Sequence, residues 1–209
     1  MRTPARSALF LAGVGVALYA PFMRDDPLWR HMLQHALFTC VAAPLIVLGE
    51  PVSLLLPRLR RSHRRRIARG LMARPLQALV HPYVAFPLFV VTQWLFHVGP
   101  LFRAAERSAT VHGVEHVAML TTGILFWLPV IGHAPLRRRL RGIERSLYLA
   151  FAMPPYDLIG VWYIATGRRD AGAAMLAGCL PIGFAFIGVG WEWMAREHRR
   201  QLRREALGA

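Results

Sequence analysis

The sequence predicts an all-α membrane protein, a bundle of about six transmembrane helices with both termini in the cytoplasm. Of its 209 residues, 55% are hydrophobic, and they form long blocks instead of the scattered pattern of a soluble domain. The 26 basic side chains are all arginines, and they lie mainly between those blocks. Two of the blocks also begin with a pair of histidines, and such polar side chains are rare within a membrane span.

Six blocks approach the ~20 residues that an α-helix needs to cross the hydrocarbon core of a bilayer. We treat residues 1–209 as one integral membrane domain. The predicted spans cover residues 7–23, 28–49, 81–99, 112–132, 146–165 and 172–194. A cleaved signal peptide is the alternative for the first block, because Arg2 and Arg6 precede it. The stretch LYA at 18–20 is a poor cleavage site, which favours a retained anchor.

The arginines predict the orientation of the spans. Three regions are dense in arginine: the loop after span two, the loop after span four and the segment after span six. They contain Arg58, Arg60, Arg61, Arg64, Arg65, Arg66, Arg69, Arg74, Arg137, Arg138, Arg139, Arg141, Arg145, Arg196, Arg199, Arg200, Arg203 and Arg204. Because cytoplasmic loops carry the excess of positive charge, both termini are predicted to be cytoplasmic. The net charge of +15 then indicates contact with anionic lipid head groups and not with nucleic acid.

Histidine pairs open the second and fourth spans. His31 and His35 are four residues apart, as are His112 and His116, so each pair projects from one face of its helix. His97 lies near the end of the third span, which brings five of the nine histidines into one layer at the predicted periplasmic end. A lone histidine near a span end is usually an interfacial side chain. Two pairs in one layer predict a shared metal or cofactor instead.

Three other side chains are predicted to lie close to this layer and to tune it. Met119 shares a helix face with His112 and His116, and Met153 lies one turn from Asp157 on span five. Core packing is the simpler role for both methionines. A carboxylate inside a membrane span is costly, so a functional role is the default for Asp157.

The ligand types predict copper. Imidazole suits copper, zinc and iron, whereas thioether selects Cu(I), so a layer that combines both favours copper as Cu(I). Heme is the first alternative, since imidazoles on facing helices can be its axial ligands in a membrane cytochrome or electron-transfer protein. An intramembrane metalloprotease is a distant third alternative. Residues 112–116 have the pattern H-x-x-E-H, which in inverted zinc proteases holds zinc and supplies a glutamate as the general base. In this sequence that glutamate is Glu115.

Four stretches carry a family resemblance: HMLQHALFTCVAAPLIVLGEP, HPYVAFPLFVVTQWLFHVGPLF, HGVEHVAMLTTGILFWLPVIG and SLYLAFAMPPYDLIGV. Together they resemble the multi-span CtaG-like assembly factors of cytochrome c oxidase, over residues 28–165. The resemblance implies a multi-pass protein of the bacterial inner membrane that is not an enzyme and helps the oxidase acquire its copper centre. Its expected partners are membrane lipids and an oxidase subunit, and an oligomer is compatible with it. The histidines that match family positions are His31, His35, His97, His112 and His116.

Overall fold

The computed structural model describes residues 3–23, 26–132 and 136–206. Within these ranges the chain forms helices and loops and no β-strand, which confirms the predicted all-α class. The α-helices are α1 (Thr3–Tyr19), α2 (Leu28–Ala36), α3 (Ala43–Gly49), α4 (Pro51–Leu55), α5 (Arg61–Leu71), α6 (Arg74–Leu79), α7 (Pro82–His97), α8 (Pro100–Arg107), α9 (Ala109–Ile131), α10 (Ile143–Ala165) and α11 (Arg169–Ala206). Short 3-10 segments follow α1 and α4, at Ala20–Phe22 and Leu56–Arg58, and a π-helical segment, Leu37–Ala42, joins α2 to α3.

The segment from α2 to α3 lies at the centre of the bundle. It packs against α11 through α2, and against α1 and α9 through the π-helical segment and α3. Pro44 in the first turn of α3 cannot donate a backbone hydrogen bond, and its ring clashes with the carbonyl four residues earlier, so the helix before it widens. Side chains then satisfy the displaced backbone. The Thr39 hydroxyl donates to the His35 carbonyl at 2.8 Å, and the Trp127 indole donates to the Thr39 carbonyl at 2.9 Å.

Gly99 turns the chain sharply after α7. Its φ of 98° lies in the region that favours glycine, and α8 leaves at 62° to α7. α8 is amphipathic: Phe102 and Ala105 are buried, whereas Arg103 and Glu106 are exposed. The helix therefore lies across the end of the bundle at which α2 begins.

α10 and α11 pack closely as an antiparallel pair. Gly160 and Gly172 let the two backbones touch, since a Cβ on Gly172 would lie 2.5 Å from the Gly160 carbonyl oxygen. The 38 residues of α11 extend for ~57 Å at 1.5 Å per residue. This length exceeds the ~30 Å hydrocarbon core of a bilayer, so one end of α11 projects from any bilayer that the bundle spans.

The arginine-rich regions meet at one end of the bundle. Arg137, in the loop before α10, donates its backbone N–H to the Gln77 side chain at 2.8 Å and its guanidinium to the Met72 carbonyl at 3.3 Å. Arg145 pairs with Glu192 near the projecting end of α11 at 3.0 Å. All three cationic regions therefore lie on one side, which is the arrangement that the orientation prediction requires. The orientation itself stays a prediction.

Among the described helices, four are long and apolar enough to cross a membrane, and a fifth span results if α7 and α8 form one bent span. The four are Pro4–Phe22, Leu28–Arg58, Ala109–Ile131 and Arg169–Ala206. α10 coincides with the predicted span at 146–165 and is 23 residues long, but Asp157 and two prolines lower its hydropathy. The count of six spans and the position of the termini therefore stay predictions.

Candidate metal centre

Five imidazoles gather at the end of the bundle opposite to the arginine-rich loops. α2 supplies His31 and His35, the last residue of α7 is His97, and α9 supplies His112 and His116. The centroids of neighbouring rings are between 4.2 Å and 5.8 Å apart. The structure thus brings together all five histidines that the sequence places in one layer. Their metal-binding role stays a prediction.

Glu115 adds a carboxylate to this cluster. It lies on α9, and its side chain is fully buried. Glu115 Oε1 is 3.4 Å from His35 Nε2, and Glu115 Oε2 is 3.8 Å from His31 Nε2. Neither carboxylate oxygen has a hydrogen-bond partner among the described residues. One ligand atom from each of the three residues lies within 4.8 Å of the other two, so one ion can contact all three. We call these three residues the triad.

A chain of hydrogen bonds fixes the tautomer of His35. His97 Nδ1 is 2.7 Å from the Gln93 carbonyl oxygen, and because a carbonyl only accepts, Nδ1 carries the hydrogen and the Nε2 of this neutral ring is an acceptor. His35 Nδ1 lies 3.0 Å from that Nε2 and therefore donates to it. The lone pair of the neutral His35 ring is then on Nε2, the nitrogen that faces Glu115. Both ring nitrogens of His97 thus form hydrogen bonds, and one of them keeps His35 in the tautomer whose free lone pair on Nε2 can bind a metal.

Aromatic side chains hold the histidines in place. The Tyr163 hydroxyl of α10 donates to the His97 carbonyl at 2.8 Å, which ties the end of α7 to α10. The Phe102 ring of α8 lies edge-on to His31, with centroids 6.1 Å apart, and contacts Tyr163 as well, at 6.3 Å. Phe102 therefore gives the triad an apolar neighbour on the α8 side, whereas the other rings that contact His31 and His35 are imidazoles.

The three side chains that were predicted to tune the layer, Met119, Met153 and Asp157, lie outside the triad. Met119 is fully buried and packs with aromatic side chains of α7 and of the π-helical segment. Met153 lies close to Gly183, and Asp157 lies against Cys179, so both face α11. Their tuning role stays a prediction.

Sequence reasoning considered Glu115 only as the base of a protease motif and did not identify it as a candidate ligand. Two signals were present. Glu115 follows His112 by three residues and so lies on the same helix face, and a carboxylate within an apolar run is as costly as Asp157. Its contacts with His31 and His35 come from another helix, and no spacing along the chain reveals them.

The triad offers two imidazole nitrogens and one carboxylate. Ligands at ~2.1 Å from an ion in tetrahedral geometry lie ~3.4 Å apart, close to the 3.4 Å and 3.8 Å between Glu115 and the two imidazoles. Such nitrogen and oxygen ligands suit divalent copper, zinc and iron. In the H-x-x-E-H proteases the ion sits on the two motif histidines and the carboxylate stays off it, whereas here the carboxylate faces imidazoles of α2.

Relatives in three mycobacteria are similar to this chain over nearly its whole length. Uncharacterized proteins of Mycobacterium bovis and Mycobacterium tuberculosis are each 28% identical to it over 233 residues, which cover 97% of this chain and 34% of each relative. An uncharacterized protein of Mycobacterium leprae is 26% identical over 227 residues, which cover 94% of this chain and 34% of the relative. The chain thus spans about a third of the length of these relatives. No solved structure matches it.

A family match covers most of the chain. Residues 2–196 match the family described as cytochrome c oxidase caa3 assembly factor (Caa3_CtaG). The match extends beyond the resemblance noted over residues 28–165, and it takes in α1 and most of α11. It includes all five clustered histidines and Glu115. The chain therefore belongs to the cytochrome c oxidase caa3 assembly factor family.

Proposed function

We propose that this protein binds one copper ion at His31, His35 and Glu115 and passes it to a membrane subunit of cytochrome c oxidase during assembly. One observation carries the proposal. The lone pair of His35 Nε2 and the carboxylate of Glu115 face each other across 3.4 Å, and both side chains are fully buried. Two electron-rich groups in an apolar interior repel each other unless a cation lies between them. A shared proton removes this repulsion, and so does a divalent metal ion, which in addition uses one ligand atom of each triad residue at suitable distances.

Copper is the metal that agrees both with the ligands of the site and with the role of the family. The ligand set suits divalent copper, zinc and iron alike, and the oxidase that gives the family its description is, by the resemblance, a protein whose copper centre has to be inserted. The carboxylate favours the divalent ion over Cu(I), because Cu(I) prefers sulfur ligands and the nearby methionines pack elsewhere. The chain holds the ion, and the hydrogen bond from His35 to His97 keeps the His35 ligand oriented until a partner takes the ion.

The packing of the histidines favours a single bound metal ion over the two alternatives, a heme and a hydrolytic zinc site. A heme between facing histidines needs a flat gap as wide as the porphyrin, and the five imidazoles instead contact one another within 5.8 Å between centroids. A hydrolytic zinc site needs a free base beside its water. In the triad the Glu115 carboxylate faces the imidazoles as a third ligand, so it is not free to act as the base that the protease motif assigns to it.

Location supports a periplasmic route of supply. The triad lies at the end of the bundle opposite to the arginine-rich loops, and the positive-inside rule assigns that end to the periplasm of a bacterial inner membrane. Membrane lipids would surround the exposed apolar faces. An oxidase subunit in the same membrane would receive the ion at that end.

A strain that lacks the protein tests the proposal. We expect its oxidase to contain heme but little copper and to have low activity when copper is limiting, and we expect the wild-type protein to restore activity. The His35→Ala variant should accumulate in the membrane without restoring it, whereas His63→Ala, which changes an exposed histidine at the other end, should restore it fully. Full rescue by His35→Ala would contradict the proposal. A Soret band of the purified protein would favour a cytochrome instead.

A further inference from the structure

The triad is buried, so an ion must reach it through the protein. His35 and Glu115 are both fully buried, and His31 is 5% exposed. An open cleft of about 500 Å³ lies at the same end of the bundle, between the start of α2, the helix α8 and the start of α9. The residues that line it are Asp26, Leu28, His31, Phe102, Ala105, Glu106, Arg107, Ser108, Ala109 and His112. We refer to it as the α2–α8–α9 cleft.

His31 belongs to both the cleft and the triad. It lines the cleft together with His112, whose ring stacks on it at 5.0 Å between centroids with an interplanar angle of 23°. Its Nε2 is 3.8 Å from Glu115 Oε2. A metal ion in the cleft therefore meets an imidazole of the triad directly, and one ligand exchange carries it inward to His35 and Glu115.

The cleft suits a hydrated cation in size and charge. Liquid water occupies ~30 Å³ per molecule, so the space admits an ion with its first hydration shell. Asp26 and Glu106 line it with carboxylates and Arg107 with a guanidinium, which gives a local net charge of about minus one on a chain whose formal net charge is +15. An acidic mouth on a basic protein concentrates cations at that point.

We propose that the α2–α8–α9 cleft is the port through which a hydrated divalent copper ion enters and leaves the triad. This inference rests on the proposed copper site. Gly99 and the contact between Phe102 and His31 hold α8 in place as the outer wall of the port. Glu106 attracts the ion to the opening of the cleft. As the ion loses water, His31 and His112 replace water molecules as its ligands.

Obstruction of the cleft tests the proposal. Ala109 is exposed and lines the cleft, whereas Ala173 is exposed near the start of α11 and does not. We expect Ala109→Trp to slow both the loading of Cu²⁺ and its extraction by a chelator by about tenfold or more, with an unchanged equilibrium dissociation constant, because a barrier on the path alters both rates equally. Ala173→Trp should behave like the wild type. Stopped-flow fluorescence with Cu²⁺ and purified protein in detergent measures both rates.

A charge variant keeps the inference testable if Ala109→Trp does not fold. Glu106→Gln should slow loading several-fold at low ionic strength, and the difference should shrink as salt screens the charge. Asp170→Asn, which removes an exposed carboxylate outside the cleft, is the matched control. Wild-type loading rates in both Ala109→Trp and Glu106→Gln would overturn the port. An absence of equilibrium Cu²⁺ binding by the wild type would overturn the copper site itself, which is a separate result.

Discussion

Replacement of Glu115 by glutamine should make the metal-free protein more stable and abolish its stabilisation by copper. In the wild type both carboxylate oxygens are buried without a hydrogen-bond partner among the described residues, and Oε1 faces the His35 lone pair at 3.4 Å. A glutamine of the same shape turns one of these acceptors into an N–H donor. That N–H reaches His35 Nε2 and satisfies two groups at once.

The expected size of the effect follows from the cost of unpaired buried groups. Each such group costs about 1–3 kcal/mol, so Glu115→Gln should gain about 1–3 kcal/mol without metal. One kcal/mol moves the melting temperature of a chain of this size by about 2–4 °C. We therefore expect the metal-free variant to melt at least ~2 °C above the metal-free wild type.

Copper should stabilise the wild type and not the variant. At a free concentration one hundred times the dissociation constant, an ion that binds only the folded state adds ~2.7 kcal/mol. The wild type should then melt about 5–10 °C higher than without metal. The variant has lost an anionic ligand, so its melting temperature should hardly change on addition of Cu²⁺.

Thermal melting of purified protein in detergent, with and without Cu²⁺, measures both effects. Glu205→Gln makes the same chemical change on the exposed last turn of α11 and should match the wild type in both conditions. An equal copper-induced shift in the wild type and in Glu115→Gln would refute the role of the carboxylate as a ligand. A metal-free variant less stable than the wild type would refute the repulsion between Glu115 and His35.

Three further predictions follow from the fold and the site. His97→Leu removes the acceptor that orients His35 and should weaken copper affinity by about 10–100-fold in a competition titration, whereas His97→Gln keeps an acceptor and should retain most of it. Single cysteines at Arg64 and Arg138 should react with membrane-impermeant reagents only from the cytoplasmic side, and labelling from the periplasm would reverse the orientation. Gly172→Ala should lower the melting temperature because its Cβ would lie 2.5 Å from a carbonyl of α10, whereas Gly188→Ala meets nothing within 4 Å and should not.

Hydropathy and helical spacing were sufficient to predict the all-α class and the layer of histidines. The positions of His31 and His35 on one helix face follow from the period of the helix, and no other helix needs to be known. The bounds of α9 and α10 lie within three residues of the predicted spans at their starts and within one residue at their ends. The sharp bend at Gly99 and the π-helical segment before Pro44 depend on how neighbouring helices pack, so the hydropathy pattern did not predict them.

The sequence predicted the members of the histidine cluster better than their roles. All five histidines lie in one cluster, but both ring nitrogens of His97 form hydrogen bonds. One of these bonds is to a backbone carbonyl, which no sequence pattern could predict. Glu115 enters the triad because α9 packs against the central segment in one particular rotation. Asp157 is a half-buried carboxylate and faces α11 instead. Inside a membrane span, the cost of a charge indicates that a partner exists, and only packing decides which partner it is.

Pulsed electron paramagnetic resonance of the Cu²⁺-loaded protein tests the copper site most directly, because it counts the imidazoles bound to the ion through their remote nitrogens. We predict two bound imidazoles in the wild type and in His63→Ala. In His35→Ala we predict one, or no bound copper. A wild-type protein that binds no copper, or a spectrum that is the same with and without the His35 imidazole, would contradict the assignment of the triad as the copper site.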